Sequence, residues 1–507
     1  MTSYKILFFS VILVMCSVGL SGQNFSTKNL QAFDTSDNLL TNALAGGLNS
    51  PQFNEIDLDQ DGTLDLMIFD RDGDAIVPYL YKNGQYQYAP QYKTIFPRFK
   101  NWVRIRDYNM DGIPDIFCYN LESPLDGVEI YNGVLVDGQL RFEKYTQTFG
   151  DFEIIYYKFQ NFYYNMEVIS TDIPEIIDVD GDGDLDIISF VGDESSVRWY
   201  QNICVEEGIS LDEPTYILKD VCWGRFKESS FNESIFLSDD PSKCAEGFVE
   251  EGGGNTKSNI HSGSTLTLYD DDGDGVYEAL IGDLTNQHII WLDNGGSAES
   301  AYMTTKDTAF PSYDQKLFLY IFNAAFEIDV DRDGNSDLLI CPNNEGGASN
   351  MNNVHYYRNA ATNGQHDFEF VQDDAFNSDM FEFGSLTNPA ICDFNQDGKK
   401  DILVGTFGKF RAGMNPDARL VLLENISDED GLKFKITDEN YLDFENFNNS
   451  YFSFAPTFGD LDGDGDDDLI VGTQNGDLLY LQNTAGVGNT YAFAPPIFEY
   501  ADIDVGD

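Results

Sequence analysis

The feature that most restricts what this chain can fold into is a nine-residue acidic segment that returns seven times. It reads D-x-[DN]-x-D-G-x-x-[DE], and three mostly apolar residues follow each copy. The copies begin at Asp57, Asp107, Asp178, Asp270, Asp329, Asp393 and Asp460, with start-to-start spacings of 50, 71, 92, 59, 64 and 67 residues. A second element trails each copy: a short apolar or aromatic stretch ending at Asn83, Asn132, Asn202, Asn294, Asn359, Asn425 or Asn483. Self-similarity at this period marks one supersecondary unit repeated along the chain. Short runs rich in Val, Ile, Tyr and Phe, separated by turn residues and without long 3.6-residue periodicity, make that unit all-β. The spacings suit one four-stranded propeller blade per copy, with loop insertions.

The side chains within the segment point to a hard cation. Position 1 is Asp in every copy. Position 3 is Asp59, Asn109, Asp180, Asp272, Asp331, Asn395 and Asp462; position 5 is Asp61, Asp111, Asp182, Asp274, Asp333, Asp397 and Asp464. Position 9 is Asp65, Asp115, Asp186, Glu278, Asp337, Asp401 and Asp468. Position 6 is always Gly, which admits the tight turn that a Cβ would hinder. Alternate acidic positions in such a turn surround one point. The backbone carbonyls of position 7 (Thr63, Ile113, Asp184, Val276, Asn335, Lys399 and Asp466) are expected to complete the set. Six or seven oxygens in flexible geometry suit Ca²⁺. Zn²⁺ would favour His or Cys, which the segments lack. An EF-hand also needs a bidentate Glu at position 12, where this chain has Ile68, Cys118, Ser189, Ile281, Ile340, Val404 and Val471. A metal-free Asx turn would leave closely packed carboxylates repelling one another seven times over. Asn109 and Asn395 each remove a charge, so their loops are expected to bind less tightly.

These loops, each running into an apolar strand, resemble the FG-GAP/VCBS repeat of integrin α-subunit and secreted bacterial propellers. The resemblance spans roughly Leu39 to Asn483, with Phe383-Gly384 and Phe454-Ala455-Pro456 as partial traces of the literal motif. It implies an all-β, seven-bladed β-propeller with one calcium loop per blade and up to seven Ca²⁺. It does not name a ligand, because fold does not give function.

Charge narrows the partners. With 29 Lys+Arg against 87 Asp+Glu, the formal charge is −58, which disfavours nucleic acid and anionic membrane surfaces. Lys5 followed by an apolar run from Ile6 to Val18 and small residues to Gly22 reads as a secretory signal peptide over 1–22. The mature chain, 23–507, is then expected to be secreted or held at the cell surface, without a membrane span. Export permits a Cys222–Cys244 disulfide, whereas Cys118, Cys341 and Cys392 sit beside apolar residues and read as buried thiols. The longest spacing holds an insertion, roughly Val205 to Gly263, whose Trp223, Phe226 and Phe231 could offer stacking area or simply cover a blade edge. The strand-like segment Phe493 to Tyr500 either closes the ring with N-terminal residues or precedes further repeats.

The expectation is an extracellular binding or adhesion module for glycan or protein. The alternatives are a propeller-based polysaccharide lyase or hydrolase and a purely structural surface-matrix component. No catalytic constellation stands out. Asp70, Asp72, Asp74, Asp283, His261 and His288 are the candidates outside the loops, and turn formation or structural roles explain them as well.

Overall fold

The computed structural model describes residues 30–503, apart from 148–151, 192–193, 230–234, 247–262, 318, 321, 347–348, 362–365, 411–416 and 449. The proposed signal peptide, Phe231 and His261 lie outside the described residues.

The structure is an all-β propeller architecture with one sheet per acidic loop, each built on consecutive antiparallel strands. In each, the loop joins the first strand to the second. The first sheet shows the plan: Pro51–Ile56, Asp65–Asp70, Ala75–Lys82 and Gln85–Tyr88 in sequential order. Its second strand is buried at all six positions. A strand covered on both faces favours small or apolar residues throughout, which is why Leu, Ile, Val, Met and Phe, with Cys118, Ser189 and Ala279, follow the loops without alternation.

The single seven-bladed ring expected from the loop count is not what the strand neighbours describe. The first strands of sheets one to five follow one another in a closed series, and sheet five meets sheet one directly. At that junction Phe53 and Phe326 pack edge to face with ring centroids 5.8 Å apart, and the Cys341 thiol donates to the Pro51 carbonyl. Sheets six and seven pack on each other beside this ring, with the Phe454 amide donating to the Thr406 carbonyl. Leu30–Phe33 extends sheet six by parallel pairing with Leu432–Asp438. Phe493 and Ile497 bridge to Asn483 and Tyr480 at the edge of sheet seven, so this segment does not close the ring with the N-terminal strand.

Arg104 sits where the five sheets converge. Its buried guanidinium donates to the carbonyls of Pro174 and Leu266, lies 3.5 Å from Glu175, and covers the Phe326 ring. Four sheets are thereby tied to one side chain.

The expected insertion at 205–263 is partly blade. Tyr216–Asp220 is the fourth strand of sheet three, and among the described residues the hairpin Phe226–Glu228 with Ile235–Leu237 follows it. Cys222 and Cys244 are disulfide-bonded. Trp223 and Phe226 are fully buried against Val197, Trp199 and Met303, so they form core rather than a stacking surface. Cys118, Cys204, Cys341 and Cys392 are buried thiols.

Candidate metal centres

The seven loops share one hydrogen-bond plan. The position-1 carboxylate accepts the position-6 Gly amide in every copy, from Gly62 to Asp57 through Gly465 to Asp460. The position-5 carboxylate accepts the position-7 amide in every copy. These bonds curl the chain so that acidic side chains face inward. Positions 4 and 6 both adopt positive φ, as at Gln60 (59°) and Gly62 (85°). Gly at position 6 meets this requirement without strain.

Convergence follows. One oxygen from each of positions 1, 3 and 5 lies within 4.8 Å of the others in the loops beginning at Asp57, Asp178, Asp270 and Asp329. Several buried loop oxygens receive no hydrogen bond among the described residues: Asp59 Oδ1, Asp182 Oδ2 and, on the position-7 side chains, Asp184 Oδ1 and Asp466 Oδ1. Buried, unpartnered carboxylate oxygens are costly unless a cation meets them. An all-oxygen set at this spacing fits Ca²⁺. In the second loop the Asn109 amide donates to Asp111, and in the sixth the Asn395 amide donates to Glu424.

Position 9 plays a part that the sequence reading did not assign. It is the first residue of the second strand in all seven sheets. One carboxylate oxygen accepts the amide of position 2, as Asp65 does from Leu58. In six of the seven the other oxygen accepts an amide from the third strand or just past its end, as Asp468 does from Asn483. Each oxygen keeps a lone pair for a cation. Burial pushes the carboxyl pKa up to about 6 at Asp65, about 7 at Asp115 and Glu278, and about 9 at Asp186.

The recurring Asn acts through both its backbone and its side chain. At Asn483 the amide meets Asp468, the side-chain oxygen accepts Ala485 and Ala492, and the side-chain nitrogen donates to the Asp467 carbonyl. Asn294 and Asn425 repeat the donation to the carbonyl just before position 9, Tyr277 and Lys400. One residue type thus joins third strand, turn and loop, which explains its recurrence.

Residues 57–118 and 329–404 match the FG-GAP-like repeat family, and residues 452–493 match the FG-GAP repeat family. The chain carries FG-GAP repeats. The matches include five of the acidic loops; those at Asp178 and Asp270 lie between them. Among solved structures, an Agrocybe aegerita lectin described as recognising non-reducing terminal N-acetylglucosamine is 14% identical. It covers 92% of this FG-GAP chain and 93% of its own, with a TM-score of 0.28. A Lactobacillus plantarum protein is 12% identical over 80% and 93% of the two chains, with a TM-score of 0.29. No curated protein matches.

The candidates outside the FG-GAP loops are mostly structural. Asp70 accepts the amides of Asn49, Ser50 and Asp72 and caps a turn. His288 faces the Leu317 carbonyl. Asp283 accepts from Thr285, and its pKa is pushed up to about 7 by burial and by Glu228 beside it.

Among the cavities lying away from the loops' inward faces, two carry grouped aromatic or charged side chains. One, of about 320 Å³, is lined by Trp291, Phe310 and Tyr313 together with Asp271, Asp307 and His366. Trp291 and Phe310 are stacked, and among the described residues the indole N–H has no hydrogen-bond partner. The other, also about 320 Å³, is lined by Asp34, Asp374, Glu382, Lys409, Asp417 and Arg419. Among the described residues, no helix is long and apolar enough to cross a membrane.

Proposed function

We propose that this FG-GAP repeat protein is an exported binding module whose blades are held by Ca²⁺ and whose ligand is an extracellular glycan or protein. The observation that carries the metal part is the convergence of three oxygens in the loops, with buried oxygens left unpartnered. A cation bound only by the folded chain stabilises it by mass action. The test is thermal unfolding of the mature chain, metal-stripped and across a Ca²⁺ titration, with metal content by mass spectrometry. Strong stabilisation with several Ca²⁺ per chain supports the reading. No shift and no bound metal sinks it.

For the ligand, the cavity at Trp291 favours a glycan. A stacked aromatic pair beside carboxylates offers a sugar both a face to pack on and acceptors for its hydroxyls. Binding screens against glycans, repeated with Trp291→Ala, check this: the variant is expected to lose binding and keep the calcium response. Calcium stabilisation without any saturable ligand would favour a structural surface-matrix role.

One observation favours an enzyme as the second reading. Glu382 lines the other cavity with Lys409 and Arg419, and burial pushes its pKa up to about 7. A carboxyl poised near neutrality could donate and accept a proton. Polysaccharide cleavage by the wild type and its loss in Glu382→Gln would establish that reading.

A further inference from the structure

The loop beginning at Asp178 differs from the others in what stands beside it. Position 7 here is Asp184, 1% exposed. Its Oδ2 accepts the Val205 amide at 2.9 Å, while Oδ1 has no hydrogen-bond partner among the described residues. Glu206, on the short helix Cys204–Glu207, reaches the same place. One oxygen each from Asp182, Asp184 and Glu206 lies within 4.8 Å of the others, separately from the Asp178–Asp180–Asp182 group. Asp182 Oδ2 is likewise buried without a partner. Gln201 holds the arrangement: its Nε2 donates to Asp180 Oδ2 at 2.7 Å and to Glu206 Oε1 at 2.5 Å. Among the described residues, no ion pair involves Asp182, Asp184 or Glu206.

The seventh sheet supplies an internal comparison. Its loop also has Gly at position 4 and Asp at position 7, and Asp466 Oδ2 accepts the Gly486 amide at 2.8 Å just as Asp184 accepts that of Val205. Val205 and Gly486 each lie three residues beyond the strand-ending Asn. The next residue is Glu206 in one and Val487 in the other. The third loop therefore has a carboxylate where the seventh has an exposed valine.

We infer that Asp182, Asp184 and Glu206 bind a second divalent cation beside the third loop, with Asp182 bridging it to the cation held by Asp178 and Asp180. Three carboxylates, no neutralising base and a buried oxygen without a donor are a hard-cation environment, and the oxygen-only set suits Ca²⁺. The site rests on the calcium reading of the loops. It makes the third blade binuclear and fastens the helix Cys204–Glu207, at the start of the long excursion, to the blade.

The experiment counts Ca²⁺ on the full-length mature chain by native mass spectrometry and calorimetric titration. Glu206→Gln keeps the size of the side chain and the Gln201 contact, and it is expected to bind one Ca²⁺ fewer than the wild type. Val487→Glu, which places the missing carboxylate beside the seventh loop, is expected to bind one more. An unchanged count in a folded Glu206→Gln chain overturns the second site and leaves the loops standing, as does an unchanged count in Val487→Glu if the first variant fails to fold. A wild type that binds no calcium overturns both readings.

Discussion

Lys82 stands at the end of the third strand of sheet one, and its ammonium reaches Asp59 at 2.7 Å and also contacts Asp61. A positive charge in the mouth of the first loop competes with a cation for the same oxygens. Lys82→Ala is therefore expected to strengthen Ca²⁺ binding at that loop several-fold, read by calorimetry as a shift in one binding phase; unchanged affinity would show that the lysine swings clear. Backbone conformation sets the second residue-scale effect. Gly183 has φ of 102°, where an L side chain is disfavoured. Gly183→Ala is expected to cost about 1–2 kcal/mol, measured by denaturant unfolding. At position 4 the same left-handed region is held by Gln60, Met110, Arg332 and Gln396, each of which spends some strain to supply a side chain there.

At the level of the element, the blades are stitched by side chains that the strands themselves do not require. The position-9 carboxylate ties the loop to the third strand, and in sheets three to seven the strand-ending Asn ties that strand to the next turn. Asn483→Ala removes two acceptor bonds and one donor bond at a fully buried site. Its expected cost is about 1–3 kcal/mol, seen as a lowered midpoint in urea, because the partners are left unsatisfied. The excursion after sheet three is stapled differently. Cys222 and Cys244 close a loop with a sequence separation of 22. Reduction is expected to remove about 3 kcal/mol by the chain-entropy argument, checked by comparing unfolding of the oxidised and reduced chains.

For the whole molecule, closure and charge dominate. Arg332 of sheet five donates to Glu55 at 2.6 Å and to the Leu64 carbonyl, and it packs over Tyr81 and Tyr86 of sheet one. Arg71 answers from sheet one, donating to the Asn343 carbonyl and to Glu345. The junction thus rests on directed bonds as well as on the Phe53–Phe326 contact. The pH response follows from the position-9 carboxyls. The folded-state values of Asp65, Asp115, Asp186 and Glu278 lie above the usual carboxylate range, so the metal-free folded chain holds these protons more tightly than the unfolded chain. That contribution is full below about pH 4 and is lost as pH rises through about 6 for Asp65, 7 for Asp115 and Glu278, and 9 for Asp186. The metal-stripped chain is expected to melt higher at pH 5 than at pH 8. Saturating Ca²⁺ is expected to reverse that order, because ligand carboxylates must be deprotonated to bind. Melting curves at the two pH values, with and without calcium, decide it. Seven Ca²⁺ would supply fourteen positive charges and bring the formal charge from −58 to −44, relieving self-repulsion in the same direction.

The sequence alone determined the repeat unit, because strand, acidic turn and apolar strand are set by residues within nine or ten positions of each other. Asp at alternate positions and Gly at position 6 specify the loop locally, and burial of the following strand on both faces demands its apolar run. The disulfide was legible as one pairing of cysteines in a polar stretch. Three things needed the tertiary structure. The five-sheet closure depends on sheet five meeting sheet one, a contact between residues nearly three hundred positions apart, such as Phe53 with Phe326. The double duty of position 9 depends on an amide from a strand that arrives 15 to 24 residues later, as at Asp468 and Asp401. The carboxylate of Glu206 carries no motif at all: only the pairing of the third strand and the turn after it brings that side chain to Asp182 and Asp184. Local chemistry is written in local sequence, whereas any site assembled from separate strands is decided by how those strands pack.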